Sequence, residues 1–145
     1  MKLSTRGRYG VRFMFDLAAH YGEGPIYLKD IAKRQGISEK YLWHLVTPLK
    51  SAGLITTVRG AKGGYYLSRP PQDINLMDVV RVLEGPICFV DCVENSSVCD
   101  RADSCISREV WGEVSHKVDE ILSGITLENL MERQRSKTPD AAMFI

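Results

Sequence analysis

The sequence predicts a mostly α fold with one small β-hairpin, in which a basic half is joined to an acidic half carrying a long amphipathic helix. Three observations carry this expectation. Apolar residues recur at helical spacing over most of the chain. A glycine-rich run, GAKGG at 60–64, separates two short β-prone stretches. Charge also reverses midway: residues 1–70 hold 12 Lys/Arg against 4 Asp/Glu, a balance of +8, and residues 71–145 hold 7 against 14, a balance of −7. That split points to a polyanion-binding part joined to a part with another task.

Taken in order, residues 4–21 read as the first helix, with Tyr9, Phe13, Leu17 and Met14, Ala18 on one side and Ser4 as its N-cap. Gly22, Gly24 and Pro25 end it, and residues 26–28 suit a short strand entering a second helix over 28–35. Gly36 stops that helix, and Ser38 caps a third over 39–52, with Pro48 inside it as a possible kink. Strand-like runs at 54–59 and 65–68 flank the glycine turn. Helix, helix–turn–helix and hairpin in this order make a winged helix–turn–helix over 1–70. Pro70-Pro71 marks the boundary.

In such a fold the second helix of the pair reaches base edges, and the first crosses the DNA backbone. Ser38, Lys40, Tyr41 and His44 are the candidate DNA contacts on that helix, while Leu42, Leu45, Val46 and Leu49 point inward. Trp43 suits either a thymine methyl or a neighbouring helix. Arg59 and Lys62 at the hairpin suit a narrow minor groove. Arg6 and Arg8 on the first helix add phosphate contacts, and Arg12 is either a further contact or a solvated or paired charge.

The second half, 71–135, opens with a helix over 76–84 ended by Gly85-Pro86. Residues 87–104 show no period and read as a loop. A long helix over 104–123 carries Ile106, Val110, Val114, Val118 and Ile121 as one stripe, which is either an internal seam or a dimer interface. Thr126 caps a last helix over 127–135, and residues 136–145 read as a flexible tail. Cys88, Cys92, Cys99 and Cys105 follow a C-x3-C-x6-C-x5-C pattern. A chain with no apolar leader or membrane span is expected in the cytoplasm, where thiols stay reduced. The spacing suits an iron–sulfur cluster better than a zinc knuckle, and leaves redox thiols or buried small side chains open. His20, His44 and His116 have no partner pattern for catalysis. No nucleophile elbow, phosphate loop or HExxH motif is present, so no enzyme is predicted.

The runs MKLSTRGRYGVRFMFDLA, IAKRQGISEKYL, VRGAKGGYYL and ITLENL together resemble the IscR/NsrR-type winged-helix regulators, over nearly the whole chain up to about Arg135. The resemblance implies a homodimer on a double-stranded DNA operator, with one iron–sulfur cluster per subunit, 2Fe–2S ahead of 4Fe–4S. It also implies control of transcription by cluster status, iron, nitric oxide or redox state. Cys92, Cys99 and Cys105 match the family's three cysteine ligands. The chain departs from the pattern in three places. Arg108 stands where IscR-type members carry a histidine ligand, and Arg8 where NsrR-type members carry an aspartate. Trp43 stands where the former carry a glutamate that tunes DNA choice. The fourth ligand therefore falls first to Cys88, then to Asp91, Asp100, Asp103 or a small labile ligand. The alternative is a cluster-free regulator of the same family that responds to thiol oxidation or to a protein partner.

Overall fold

In the computed structural model, which describes residues 2–61 and 63–138, helix α1 (Thr5–Ala19) starts at its expected cap. The Ser4 Oγ accepts from the Gly7 N–H at 3.4 Å. Phe13, Met14 and Leu17 are buried along its inner face. A Cβ at Gly10 would lie 2.0 Å from Cδ1 of Leu83, so any larger residue there makes the Leu83 side chain of the later helix α4 (Leu76–Glu84) shift.

The helix–turn–helix is α2 (Leu28–Gln35) and α3 (Glu39–Ser51). Between them Gly36 adopts a left-handed φ of 65°, and its N–H closes on the Ala32 carbonyl. Ser38 caps α3 by accepting from the Tyr41 N–H at 3.1 Å. The helix continues through Pro48 to Ser51. A buried charge fixes this pair against α1. The Asp16 carboxylate, 3% exposed, accepts from Arg34 Nε and Nη2 at 3.0 and 2.7 Å and from Gln35 Nε2 at 3.0 Å. A two-pronged guanidinium contact of this kind sets orientation as well as energy.

The hairpin pairs β1 (Ile55–Val58) with β2 (Gly64–Leu67), in the register Ile55 to Leu67 and Val58 to Gly64. The short strand expected at 26–28 is a single bridge: Ile26 and Tyr65 exchange both backbone hydrogen bonds at 2.8 Å. That close approach explains Gly64, whose φ is 152° and whose Cβ would sit 2.5 Å from the Ile26 carbonyl oxygen. The Tyr27 hydroxyl also donates to the Ala61 carbonyl at 2.8 Å. The hairpin is thus seated on the start of α2 at two points.

Beyond a 3-10 turn at Pro71–Asp73, α4 and α7 (Leu127–Lys137) begin side by side. Asn75 and Thr126 each cap their helix, and each capping box closes through the third helical residue, Asp78 or Asn129. The Leu76 N–H donates to the Ile125 carbonyl, and the Leu127 N–H to the Ile74 carbonyl. One hydrophobic core contains Phe13, Leu17, Leu45, Leu49, Ile55, Ile74 and Leu127, so α4 and α7 close the core that the winged helix begins.

Two expectations are refined. Residues 87–104 are not wholly irregular: α5 (Asp91–Glu94) and a 3-10 turn at Ser96–Val98 lie within them. One turn of helix is too short to leave a period in sequence. Of the tail expected over 136–145, Ser136 and Lys137 are instead the last residues of α7, and 139–145 lie outside the described residues. Long helix α6 (Ile106–Ser123) follows its N-cap Cys105 and packs on α4, with Ser115 buried and Arg81 paired with Asp119 at 3.0 Å.

Candidate nucleic-acid interface and cysteine segment

Burial of Leu42, Leu45, Val46 and Leu49 turns the other face of α3 to solvent. Ser38, Lys40, Trp43 and His44 are exposed there, with Trp43 at 60%. The indole lies over a shallow groove with Leu28, Glu39 and Lys40, rather than inside a helix interface. Tyr41 is placed differently from its neighbours. It is half-buried, and its ring stands edge-on to Tyr9 of α1, with centroids 5.3 Å apart and planes at 83°.

That aromatic pair organises the basic face of α1. The guanidinium of Arg8 lies 5.7 Å from the Tyr9 ring centroid and that of Arg12 5.3 Å, both within cation–π range. Arg8 also donates to Thr5 Oγ1 at 3.2 Å. Arg12 is tied further, donating to the Gln35 carbonyl and to Gln35 Oε1. Its guanidinium, although exposed, is therefore held by neutral partners within the fold. Arg6 and Arg8 remain exposed at the start of α1, and Arg59 is exposed beside the hairpin turn. Lys62, the other expected wing contact, lies outside the described residues. Tyr9 was not legible as an organising residue, because its partner sits 32 positions away on another helix.

The four cysteines are free and lie along 88–105, between α4 and the start of α6. The Cys88 thiol is half-buried and donates to the Val90 carbonyl at 2.7 Å. Cys92 is on α5, Cys99 is exposed just after the 3-10 turn, and Cys105 is the N-cap residue of α6. The Ser107 hydroxyl, 3.2 Å from Cys105 Sγ, holds that thiol below the ordinary thiol pKa. The backbone N–H of Arg108 acts in the same sense, helped by the Ser107 N–H and the charge of Arg101. Hydrogen bonds to the thiolate at a helix start favour the reactive, metal-binding form.

Arg108 has a role of its own. Its Nε donates to the Cys92 carbonyl at 2.8 Å, and its Nη1 to the Ala102 carbonyl at 2.9 Å. A cation in this position pins both ends of the segment holding Cys99 to α6. Arg108→Ala leaves two main-chain carbonyls without that donor, and is expected to raise amide hydrogen exchange over 92–102 while α1–α3 stay unchanged. Unaltered exchange in that stretch would show that the guanidinium does not hold it.

Thiol donors of this kind suit a soft, sulfur-loving centre. Among the described residues, however, no three His, Cys, Asp or Glu side chains converge on a point that could hold a metal ion. Cys92, Cys99 and Cys105 fit a cluster in chemistry, and the arrangement offers it no ready-made cage. The stripe on α6 is open: Ile106 is 72% exposed, Val110 46% and Ile121 60%, with Trp111 beside them at 42%. His116 lies exposed on the same helix. No helix among the described residues is long and apolar enough to cross a membrane.

The family model described as Rrf2, iron-dependent transcriptional regulator, matches residues 3–133. The Rrf2 protein of Nitratidesulfovibrio vulgaris is 45% identical over 145 residues, covering 100% of this chain and 96% of that protein. A solved structure of CymR, the global cysteine regulator of B. subtilis, is 44% identical with a TM-score of 0.78, covering 92% of this chain and 98% of that one. T. potens IscR matches at 43% identity and a TM-score of 0.79, over 95% and 91%. The relatives named are transcriptional regulators rather than enzymes, and their likeness extends across both the helix–turn–helix and the segment that follows it. The chain is a DNA-binding transcriptional regulator and belongs to the Rrf2 family.

Proposed function

We propose that this regulator binds a double-stranded operator as a homodimer, and that an iron–sulfur cluster on Cys92, Cys99 and Cys105 controls the binding. Cys88 is the nearest additional thiolate. The observation that carries this reading is the placement of the cysteines. Four thiols occupy one segment between the helix that packs on α1 and the long helix whose apolar stripe is open. A bound cluster supplies an iron- and redox-sensitive cross-link between sulfurs. The chain supplies the rest. Gathering the three sulfurs reshapes the segment between α4 and α6, and Cys105 carries that change into the first turn of α6.

If α6 pairs with its copy through Ile106, Val110, Val114, Val118 and Ile121, its position sets the spacing of the two α3 helices. Half-sites lie about 34 Å apart, one turn of DNA. A small change of spacing then weakens specific binding without touching α3 itself. Lys40 and His44 on α3, Arg6 and Arg8 on α1, and Arg59 with Lys62 on the hairpin provide the contacts. Ser38 serves chiefly as a cap and Tyr41 as a brace, each within reach of a phosphate.

Alanine at Cys92, Cys99 or Cys105 is expected to abolish bound iron and sulfide after anaerobic reconstitution, while Cys88→Ala lowers cluster stability. Full iron retention in all three single variants would remove the assignment. A second reading is control by thiol oxidation without a cluster. It is favoured by the acidified Cys105 and by the lack of a convergent ligand group among the described residues. That reading predicts iron-free protein whose DNA binding changes with a mild thiol oxidant.

A further inference from the structure

The cysteine segment leaves the body of the protein at Glu84, the last residue of α4, just before Gly85 turns the chain with a φ of 84°. The Glu84 carboxylate does not face solvent alone. Its Oε1 accepts from the Ser4 N–H at 2.9 Å, from the Gly7 N–H at 3.1 Å and from the Ser4 hydroxyl. These groups form the N-terminus of α1, where unpaired N–H donors and the helix dipole favour an anion. The fit is tight, since a Cβ at Gly7 would lie 2.6 Å from the same oxygen. Ser4 alone could cap α1, as Ser38 alone caps α3. A carboxylate from 80 residues away adds a tie between two regions whose sequence positions give no reason to meet.

The residues at each end of this tie make it more than a cap. Arg6 and Arg8 sit in the first turn of α1, exposed and basic. Cys88 is four residues past Glu84, its thiol bonded within the same segment. Any change at 85–105 that moves the end of α4 moves the anion holding the start of α1.

We infer that Glu84 is the positioning residue that transmits the state of the cysteine segment to the DNA-contacting start of α1. This rests on the proposed cysteine control and names the route it takes. Glu84 is not assigned a contact with DNA or cluster. It acts through Ser4 and Gly7.

The test uses the full-length dimer and one duplex recovered from a random pool by the wild-type protein. Affinity is measured in two states, reduced and metal-free against reconstituted with iron and sulfide, with iron content and thermal melting recorded for each. Effector coupling in proteins typically spans about 5–150-fold. The expected result is that this wild-type ratio collapses towards one in Glu84→Ala, with iron content unchanged. Glu84→Gln, which keeps the shape and an accepting oxygen, retains an intermediate ratio, and it carries the test if the alanine variant fails to melt cooperatively. Ser4→Ala, which removes only the hydroxyl donor, also gives an intermediate value. Equal loss of affinity in both states, leaving the ratio intact, would make Glu84 a simple cap and overturn the inference. A wild-type ratio of one would instead overturn the cysteine control itself, and the link with it.

Discussion

Phe13→Ala is expected to lower the unfolding free energy by about 3–5 kcal/mol, the usual range for truncating a fully buried phenylalanine. Total stabilities of single domains are about 5–15 kcal/mol, so the variant should lose a large share of its stability. The size follows from location. Phe13 is 0% exposed, and its ring meets Tyr65 of the hairpin edge-on, with centroids 6.4 Å apart. It is the point where α1, the helix–turn–helix and the wing share one core. Phe13→Leu keeps much of the volume and should lose clearly less. Urea unfolding at fixed protein concentration checks both, because dimer stability depends on concentration. A loss below about 1 kcal/mol for the alanine variant would contradict the packing described.

Reversing the charge of Arg59 should have the largest effect on DNA binding with the least effect on folding. Arg59 is exposed at the hairpin tip, and no folded contact depends on it in the hydrogen bonds described. Each phosphate neutralised by a protein cation contributes about 0.9 to the slope of log affinity against log salt. A dimer has two wings, so Arg59→Glu is expected to reduce that slope by about 2 and to weaken binding on the order of 10–100-fold near physiological salt. Binding should weaken similarly for operator and unrelated duplex if Arg59 meets phosphates. Loss confined to the operator would indicate reading of groove shape or bases instead. An unchanged slope would mean that the wing stays out of the groove.

Much of the architecture was legible because its determinants are local. Ser4, Ser38 and Thr126 each precede a helix and accept from a backbone N–H three residues on, so the caps could be read from residue type. The hairpin was legible from its glycines, although the reason for Gly64 was not. Its backbone meets Ile26, 38 positions earlier. Long-range ties between polar groups were invisible. Asp16 with Arg34, Glu84 with Ser4, and Tyr9 with Tyr41 follow no spacing rule, since each joins separate helices. The exposed Lys40 and His44 on α3 followed from helical period, whereas the exposure of Trp43 did not, since its position suits either solvent or a neighbouring helix. Tyr41 did not, because its half-burial comes from α1. In the second half, Arg108 read as the loss of a ligand. Its two bonds to main-chain carbonyls make it a clamp on the segment, a role that depends on where α5 and the Ala102 turn place those carbonyls.

Cluster control of DNA binding, proposed for the cysteine segment, can be tested on a single sample. The most direct measurement takes protein purified without oxygen and determines visible absorption, iron, sulfide and affinity for one selected duplex on the same sample. The sample is then stripped with a chelator under reducing conditions and measured again. Coloured protein with matched iron and sulfide is expected, with an affinity that changes at least about fivefold on stripping. Colourless protein that takes up no iron or sulfide, and binds the duplex equally before and after chelation, would contradict it.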